Sequence, residues 1–547
     1  MKKGIKQRYI TSAFILLLST VVVKVISAVY KIPLTNYIGA TGRGYFSVAY
    51  NLCLPIHALT MGAFPIALTK LVSSYEAKGD TLRIKALRKA SKKLFFIIGL
   101  VGTVVMFAVS KPYAQFVASS PKSIYTALAL APSIFFSCLC ACHRAFAEGY
   151  MDMKPTAVSQ LIEALFKMIF GLLFARFCMS YLYNFYVENG TVFGVIMTEE
   201  EALAAIYPVT SAFSMLGATL GSIAAYIFAA VYTRNKYDNF PPDSVDVKSA
   251  YNEMLACCVP LVAATVVQSI SNFADTSSIQ YFLSLCDEKI LLSQYPSAGE
   301  DVYTYVFGIY ASALDFKNLI PAIVMALGIT AVPAVSSAFE SGDQRFSSLL
   351  TSIFKYTVIL SVGGGLALSL FNEDILNLFY AQSHPDIVSG ASKLLFYFGV
   401  TALPCAAAST SVFCTQALGF AKKTVAPFAV SAVVRIVLNY FLVCNSEINI
   451  IGTAFSNFAG FLIILIWNMI TIRKYTHARF KISDIFVKPV ICAVLTYFTV
   501  LSLKNTLFAD FGSLTVFVLS VLVCLLLFFI LLFLLKCVSS KEIKLLK

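Results

Sequence analysis

The sequence predicts an all-α polytopic membrane protein, with about fourteen transmembrane helices in two pseudo-symmetric lobes around a central cavity. Three observations predict it. The 547 residues are 59% hydrophobic and 13% charged, with a mean hydropathy of +0.80, whereas a soluble chain is about one quarter charged. Apolar stretches of about 20 residues, long enough to cross the hydrocarbon core as helices, recur along the whole chain. Two segments of the first half also return in the second half at one fixed offset.

The spans fall at roughly 11–33, 44–69, 94–112, 123–147, 155–180, 204–233, 251–272, 303–335, 351–371, 389–417, 424–444, 451–472, 484–503 and 512–535. The first stretch is too long for the apolar region of a signal peptide and lacks a small-residue cleavage site, so it reads as the first span. Most of the 42 Lys and Arg lie in segments that are inside if the N-terminus is inside, above all in Lys70–Lys93. The outer segments hold Arg43, Lys111, Lys122, Arg176, Lys289 and Lys504, and the outer segment Glu188–Glu201 has four Glu and no base. This bias places both termini in the cytoplasm of a multi-pass plasma-membrane protein. It also accounts for the net charge of +14 without nucleic acid as a partner.

The repeat joins Gly62–Asp80 to Thr330–Asp343, and Lys154–Phe174 to Lys422–Leu442. Pro65 aligns with Pro333 and Lys167 with Arg435, each pair 268 residues apart. The offset spans an even number of helices, so the repeats are parallel and related by an axis along the membrane normal. The expected organisation is a first lobe at 1–240 with spans 1–6 and a second at 241–482 with spans 7–12. Two additional spans, 13 and 14, follow at 483–547. Rocking of one lobe against the other around a central site is the transport motion such an arrangement allows.

Six basic residues sit inside hydrophobic stretches: Lys24, Lys31, Lys167, Lys317, Lys393 and Arg435. A cation at the bilayer centre costs about 3 kcal/mol or more, so such residues face a bundle interior or a wet cavity and mark a pathway. With few matching acids, they point to an anionic cargo. Lys24 is central in the first span and is expected to line the cavity. Lys31, seven residues later on the same helical face, either lines it or snorkels to the headgroups. Lys393 opens the tenth span and is expected at the interface.

Asp315, Lys317 and Asn318 lie deep in the eighth span. Residues two apart do not share a helix face, so Asp315 and Lys317 look for partners elsewhere, Lys317 toward anionic cargo and Asp315 toward a base or a coupling ion. Arg435 is central in the eleventh span with Asn439 one turn on. Its repeat counterpart Lys167 has Glu163 four residues before it, a favourable helical pair. Asn272 and Asp275, at the end of the seventh span, either line the mouth or cap the helix. Pro55, Pro65, Pro260, Pro321, Pro333 and Pro404 are candidate kinks.

No enzyme signature emerges: the chain has no phosphate-binding Gly-rich loop with Lys, no Ser nucleophile elbow and no His-Glu-x-x-His metal helix. The fourteen Cys, including Cys138, Cys140, Cys142, Cys257 and Cys258, lack zinc-ligand spacing. No metal and no cofactor are expected.

Four stretches carry a resemblance to a known family. Ile38–Tyr45 (IGATGRGY) follows a first span bearing Lys24 and Lys31. Ala63–Asp80 ends the second span. Arg144–Leu172 (RAFAEGYMDMKPTAVSQLIEALFKMIFGL) is the most specific, and Tyr310–Asp343 covers the eighth span and the loop after it. In these the chain resembles the polysaccharide-transport and stage V sporulation protein B branch of the multidrug/oligosaccharidyl-lipid/polysaccharide (MOP) exporter superfamily, related to lipid II flippases. The resemblance implies a MOP/MATE-like fold and alternating-access transport of undecaprenyl-pyrophosphate-linked oligosaccharide, a lipid II-like precursor, from inner to outer leaflet. By position, Lys24, Lys31 and Lys317 would meet the pyrophosphate. The chain has Lys where those flippases favour Arg, and Ala145 and Glu148 where the family segment often has Gly and Gln. Membrane lipids and cell-wall synthesis enzymes are the further partners implied. The alternatives are a cation-coupled multidrug exporter, which would favour acidic residues in the cavity, a non-transporting scaffold for cell-wall or sporulation enzymes, and a membrane glycosyltransferase, which would need interfacial carboxylates.

Overall fold

The computed structural model describes residues 2–237, 245–341, 346–478, 480–506 and 513–537. The described chain is almost entirely helical, and a helix lies at each of the fourteen predicted spans. It parts into two compact units, Met1–Gly308 and Ile309–Lys547. Compactness divides the chain inside a helix, whereas the boundaries at 240 and 482 follow sequence similarity, which compactness does not test.

The first unit holds α1 (Lys2–Met61), α2 (Ala63–Lys78), α3 (Thr81–Pro112), α4 (Ile124–Gly149), α5 (Lys154–Asn189), α6 (Glu199–Tyr237), α7 (Val247–Leu283), the short α8 (Glu288–Gln294) and the start of α9 (Val302–Glu340). A two-residue hairpin, β1 (Thr191–Val192) with β2 (Val195–Ile196), joins α5 to α6. The second unit holds the rest of α9, then α10 (Phe346–Leu370), the short α11 (Asn372–Tyr380), α12 (Pro385–Ala417), α13 (Val425–Val443), α14 (Gly452–Thr476), α15 (Lys488–Asn505) and α16 (Ser513–Leu534).

Ten helical stretches among the described residues are long and apolar enough to cross a membrane, the first of them, Leu18–Lys78, long enough for two crossings. Large apolar side chains point outward in belts, including Val101, Val104 and Phe107 on α3 and Leu526, Phe529 and Phe533 on α16. Water would not tolerate such belts, but lipid does. The chain is an all-α polytopic membrane protein. The main break within α1 is at Gly39, whose φ of 63° leaves the helical region, while α1 and α12 continue through Pro55 and Pro404.

The last two helices are built into the second unit. Cys492 and Val500 of α15 and Phe528 of α16 share one buried cluster with Phe354, Val362 and Leu366 of α10. An ion pair from Lys504 at the end of α15 to Asp374 on α11, 2.5 Å long, fixes one end of that packing. In the first unit, Leu68, Val72, Leu87, Phe95, Phe146 and Met254 form a comparable cluster from α2, α3, α4 and α7.

Candidate functional site

The predicted residues assemble at two places, one within each unit. In the first unit, α1, α4, α5 and α6 enclose a cavity of about 370 Å³. Lys24 reaches it from α1, and Glu163 and Lys167 reach it from successive turns of α5. Three charged or polar residues that the spacing did not single out as site residues join them: Arg144 from α4, His57 from α1 and Gln160 from α5.

Charges meet across helices here. The Arg144 guanidinium donates to the Glu163 carboxylate at 2.9 Å and, through Nε, to Ser159 Oγ at 2.7 Å. The Lys167 ammonium donates to the Tyr50 hydroxyl, lies 4.4 Å from the centre of the Tyr50 ring, and is flanked by the rings of Tyr30 and Phe46. A cation over an aromatic face is held by the ring quadrupole, which gives a partly dehydrated ammonium a soft counter-charge. Lys24 remains exposed and has no ion-pair partner among the described residues. The cavity thus presents two lysines and an arginine against one carboxylate.

In the second unit, Lys317 on α9 and Arg435 on α13 are both buried, at 3% and 5% exposure. Lys317 Nζ lies 4.6 Å from the ring centre of Phe398 and 5.6 Å from that of Phe461, and Arg435 Cζ lies 5.7 Å from Phe461. Gly460 makes this possible. A Cβ there would stand 2.5 Å from Cγ and Cδ of Arg435, so only glycine lets the arginine stem lie flat on α14. One turn beyond Arg435, Asn439 accepts a hydrogen bond from Ser456 Oγ at 2.5 Å. Lys167 and Arg435, the two bases 268 residues apart, each meet aromatic rings inside their own unit.

The remaining predicted residues are spread along these helices. Lys31 is half-buried on α1, and its carbonyl accepts from Thr35. Asp315 is half-buried and Asn318 exposed on α9. On α7, Asn272 is exposed and its carbonyl accepts from Thr276. Asp275 is buried two residues before Ser277, which takes part in a network with Asn51 and Tyr113. Lys393 is exposed two turns into α12.

The geometry can be set beside known proteins. Residues 10–207 match the family model described as polysaccharide biosynthesis protein. Lipid II flippase MurJ of Bacillus subtilis (strain 168) is 22% identical over 496 residues, 87% of this chain and 84% of that protein. Stage V sporulation protein B of the same organism is 19% identical over 505 residues, covering 90% and 89%. Among solved structures, lipid II flippase MurJ in an inward closed conformation matches with a TM-score of 0.68 at 14% identity, over 95% of this chain and 98% of that one. An inward-facing multidrug resistance MATE family transporter of the MOP superfamily matches at 0.59 and 15% identity, over 83% and 98%. The chain thus matches the polysaccharide biosynthesis family model over residues 10–207, is similar over most of its length to lipid II flippase MurJ and stage V sporulation protein B, and shares the fold of the MurJ and MATE structures.

Proposed function

We propose that this chain is a flippase carrying an undecaprenyl-pyrophosphate-linked oligosaccharide from the inner to the outer leaflet by alternating access. The observation that carries the reading is the charge of the first unit's cavity, where Lys24, Lys167 and Arg144 face the single carboxylate of Glu163. A pyrophosphate head carries about two negative charges, and a negative-inside potential drives them outward with about 4–5 kcal/mol per 100 mV. The cavity has only to offset the desolvation of the head in passage. Lysine, a point charge without the bidentate fork of arginine, suits capture that must end in release. Lys317 and Arg435 supply the matching cations of the second unit.

An apolar cavity of about 400 Å³ between α10, α12, α14 and α15, walled by residues such as Val362, Leu403 and Val494, offers surroundings for a polyprenyl or acyl chain. The positive-inside bias supports a bacterial plasma-membrane location with cytoplasmic termini. Enzymes that make or consume the lipid-linked precursor are the partners this reading expects. A multidrug exporter would want an acidic cavity, and the bases here outnumber the acids.

Cells depleted of their own lipid II flippases test the proposal. Growth and lateral-wall synthesis restored by this chain support it. Failure at normal membrane levels, with lipid II accumulating inside, overturns lipid II as the cargo.

A further inference from the structure

At the end of the second unit formed by the 371–388 and 444–451 segments lies a second chamber of about 570 Å³, which carries three charged residues. Asn372, Glu373, Lys393, Tyr397, Glu447 and Phe455 line it. Phe396 lines both this chamber and the apolar cavity between α10, α12, α14 and α15. Its ring packs 5.2 Å from that of Tyr397 in the chamber and 6.3 Å from that of Tyr497 in the apolar cavity. A charge-bearing chamber and an apolar slot that share one aromatic residue match the two parts of an amphiphile. The ion pair from Lys504 to Asp374, the neighbour of Glu373, pins α15 as a wall of the slot.

From this we infer a lipid site in the second unit, separate from the basic clusters, whose occupant is a zwitterionic phospholipid with a primary ammonium headgroup. The charges select it. Lys393 meets the phosphate, and Glu373 and Glu447 meet the ammonium. An anionic headgroup without an amine would face one cation and two carboxylates, which disfavours it. A primary ammonium carries N–H donors for the carboxylates, and a quaternary one carries none. In the proposed orientation the chamber opens at the outer leaflet.

The test uses the sole tryptophan, Trp467, which lines a different pocket at the opposite end of α14. In the full-length Trp467→Phe protein, Phe396→Trp places a fluorescent reporter at the junction of chamber and slot, with Val400→Trp as an independent second position. Each is reconstituted in mixed vesicles of phosphatidylethanolamine and phosphatidylglycerol with brominated chains on one lipid at a time. Brominated phosphatidylethanolamine is expected to quench about two- to five-fold more effectively than brominated phosphatidylglycerol, the range two exposed charge pairs supply. Glu373→Gln with Glu447→Gln is expected to bring the ratio to one. Equal quenching in the parent protein, stronger quenching by phosphatidylglycerol, or a ratio that survives the double substitution would each overturn the site. Relief of quenching by added undecaprenyl-pyrophosphate sugar would also overturn it and assign the slot to lipid-linked cargo.

Discussion

Lys317 and Arg435, carried by two different helices, lie against one aromatic ring, with Nζ 5.6 Å and Cζ 5.7 Å from the centre of Phe461. Holding two cations inside an apolar unit is costly, and the ring offsets part of that cost by about 0.5–2 kcal/mol for each. Under the proposed function, a doubly negative group visits this pair.

Lys317→Ala and Arg435→Ala should therefore each lower transport by about 10- to 100-fold, the loss of one charge-assisted contact worth about 1.5–3 kcal/mol. Membrane levels should stay normal. Phe461→Leu should cost transport less than either, because it removes the ring and leaves both charges. Transport rates at matched protein level check the order. Full activity in both alanine variants would reduce the cations to structure.

Arg144 and Glu163 should behave as a unit. Glu163→Gln strands a buried guanidinium and should destabilise the protein by about 3 kcal/mol, or less given the partial exposure of Glu163. Replacing both, Arg144→Gln with Glu163→Gln, should cost less than the sum of the single changes. Thermal midpoints of the three variants in one detergent measure the coupling.

How far this site was legible in the sequence follows from the same pair. Glu163 stands four residues before Lys167, a spacing that predicts a pair along α5, and its carboxylate also accepts from Arg144 on α4, a contact the spacing does not reveal. Periodicity reports neighbours on one helix and cannot report which face of α4 meets α5. The aromatic contacts of Lys167, Lys317 and Arg435 escaped for the same reason. The helices themselves were legible because each needs about 20 apolar residues, and the embedded cations because hydrocarbon makes any charge conspicuous. Gly39 is different: a glycine in IGATGRGY marks a turn, but only the structure shows that α1 breaks there.

Asp152, in the short turn between α4 and α5, predicts a pH response. Burial raises its pKa, but donors from Lys236, Tyr237, Tyr232 and the Lys154 backbone N–H outweigh that and hold it below the ordinary aspartate value. A carboxylate with a depressed folded-state pKa stabilises the protein fully above its unfolded pKa, and loses that contribution as pH falls through the lower folded value. Asp152→Asn should thus lower stability by about 1–3 kcal/mol at neutral pH. The difference from wild type should shrink below about pH 4. Thermal midpoints from pH 3 to 7 read this directly.

Gly308, at the end of the first unit, packs on α1 so closely that a Cβ would sit 1.8 Å from the carbonyl oxygen of Ala40. Gly308→Ala should force the crossing apart at a cost of at least about 1–3 kcal/mol. Ala40→Gly should not rescue it, because the clash is with backbone. Thermal midpoints of the single and double variants check both statements.

The most direct test of the central claim is the outer-leaflet exposure of undecaprenyl-pyrophosphate sugars in flippase-depleted cells that express this chain as wild type, Lys24→Ala, Lys317→Ala or Arg435→Ala. The account predicts that the wild type restores exposure and that the three variants, at equal membrane level, do not. Restoration by all three variants would contradict the basic-cavity mechanism, and no restoration by the wild type would contradict the flippase assignment for these sugars.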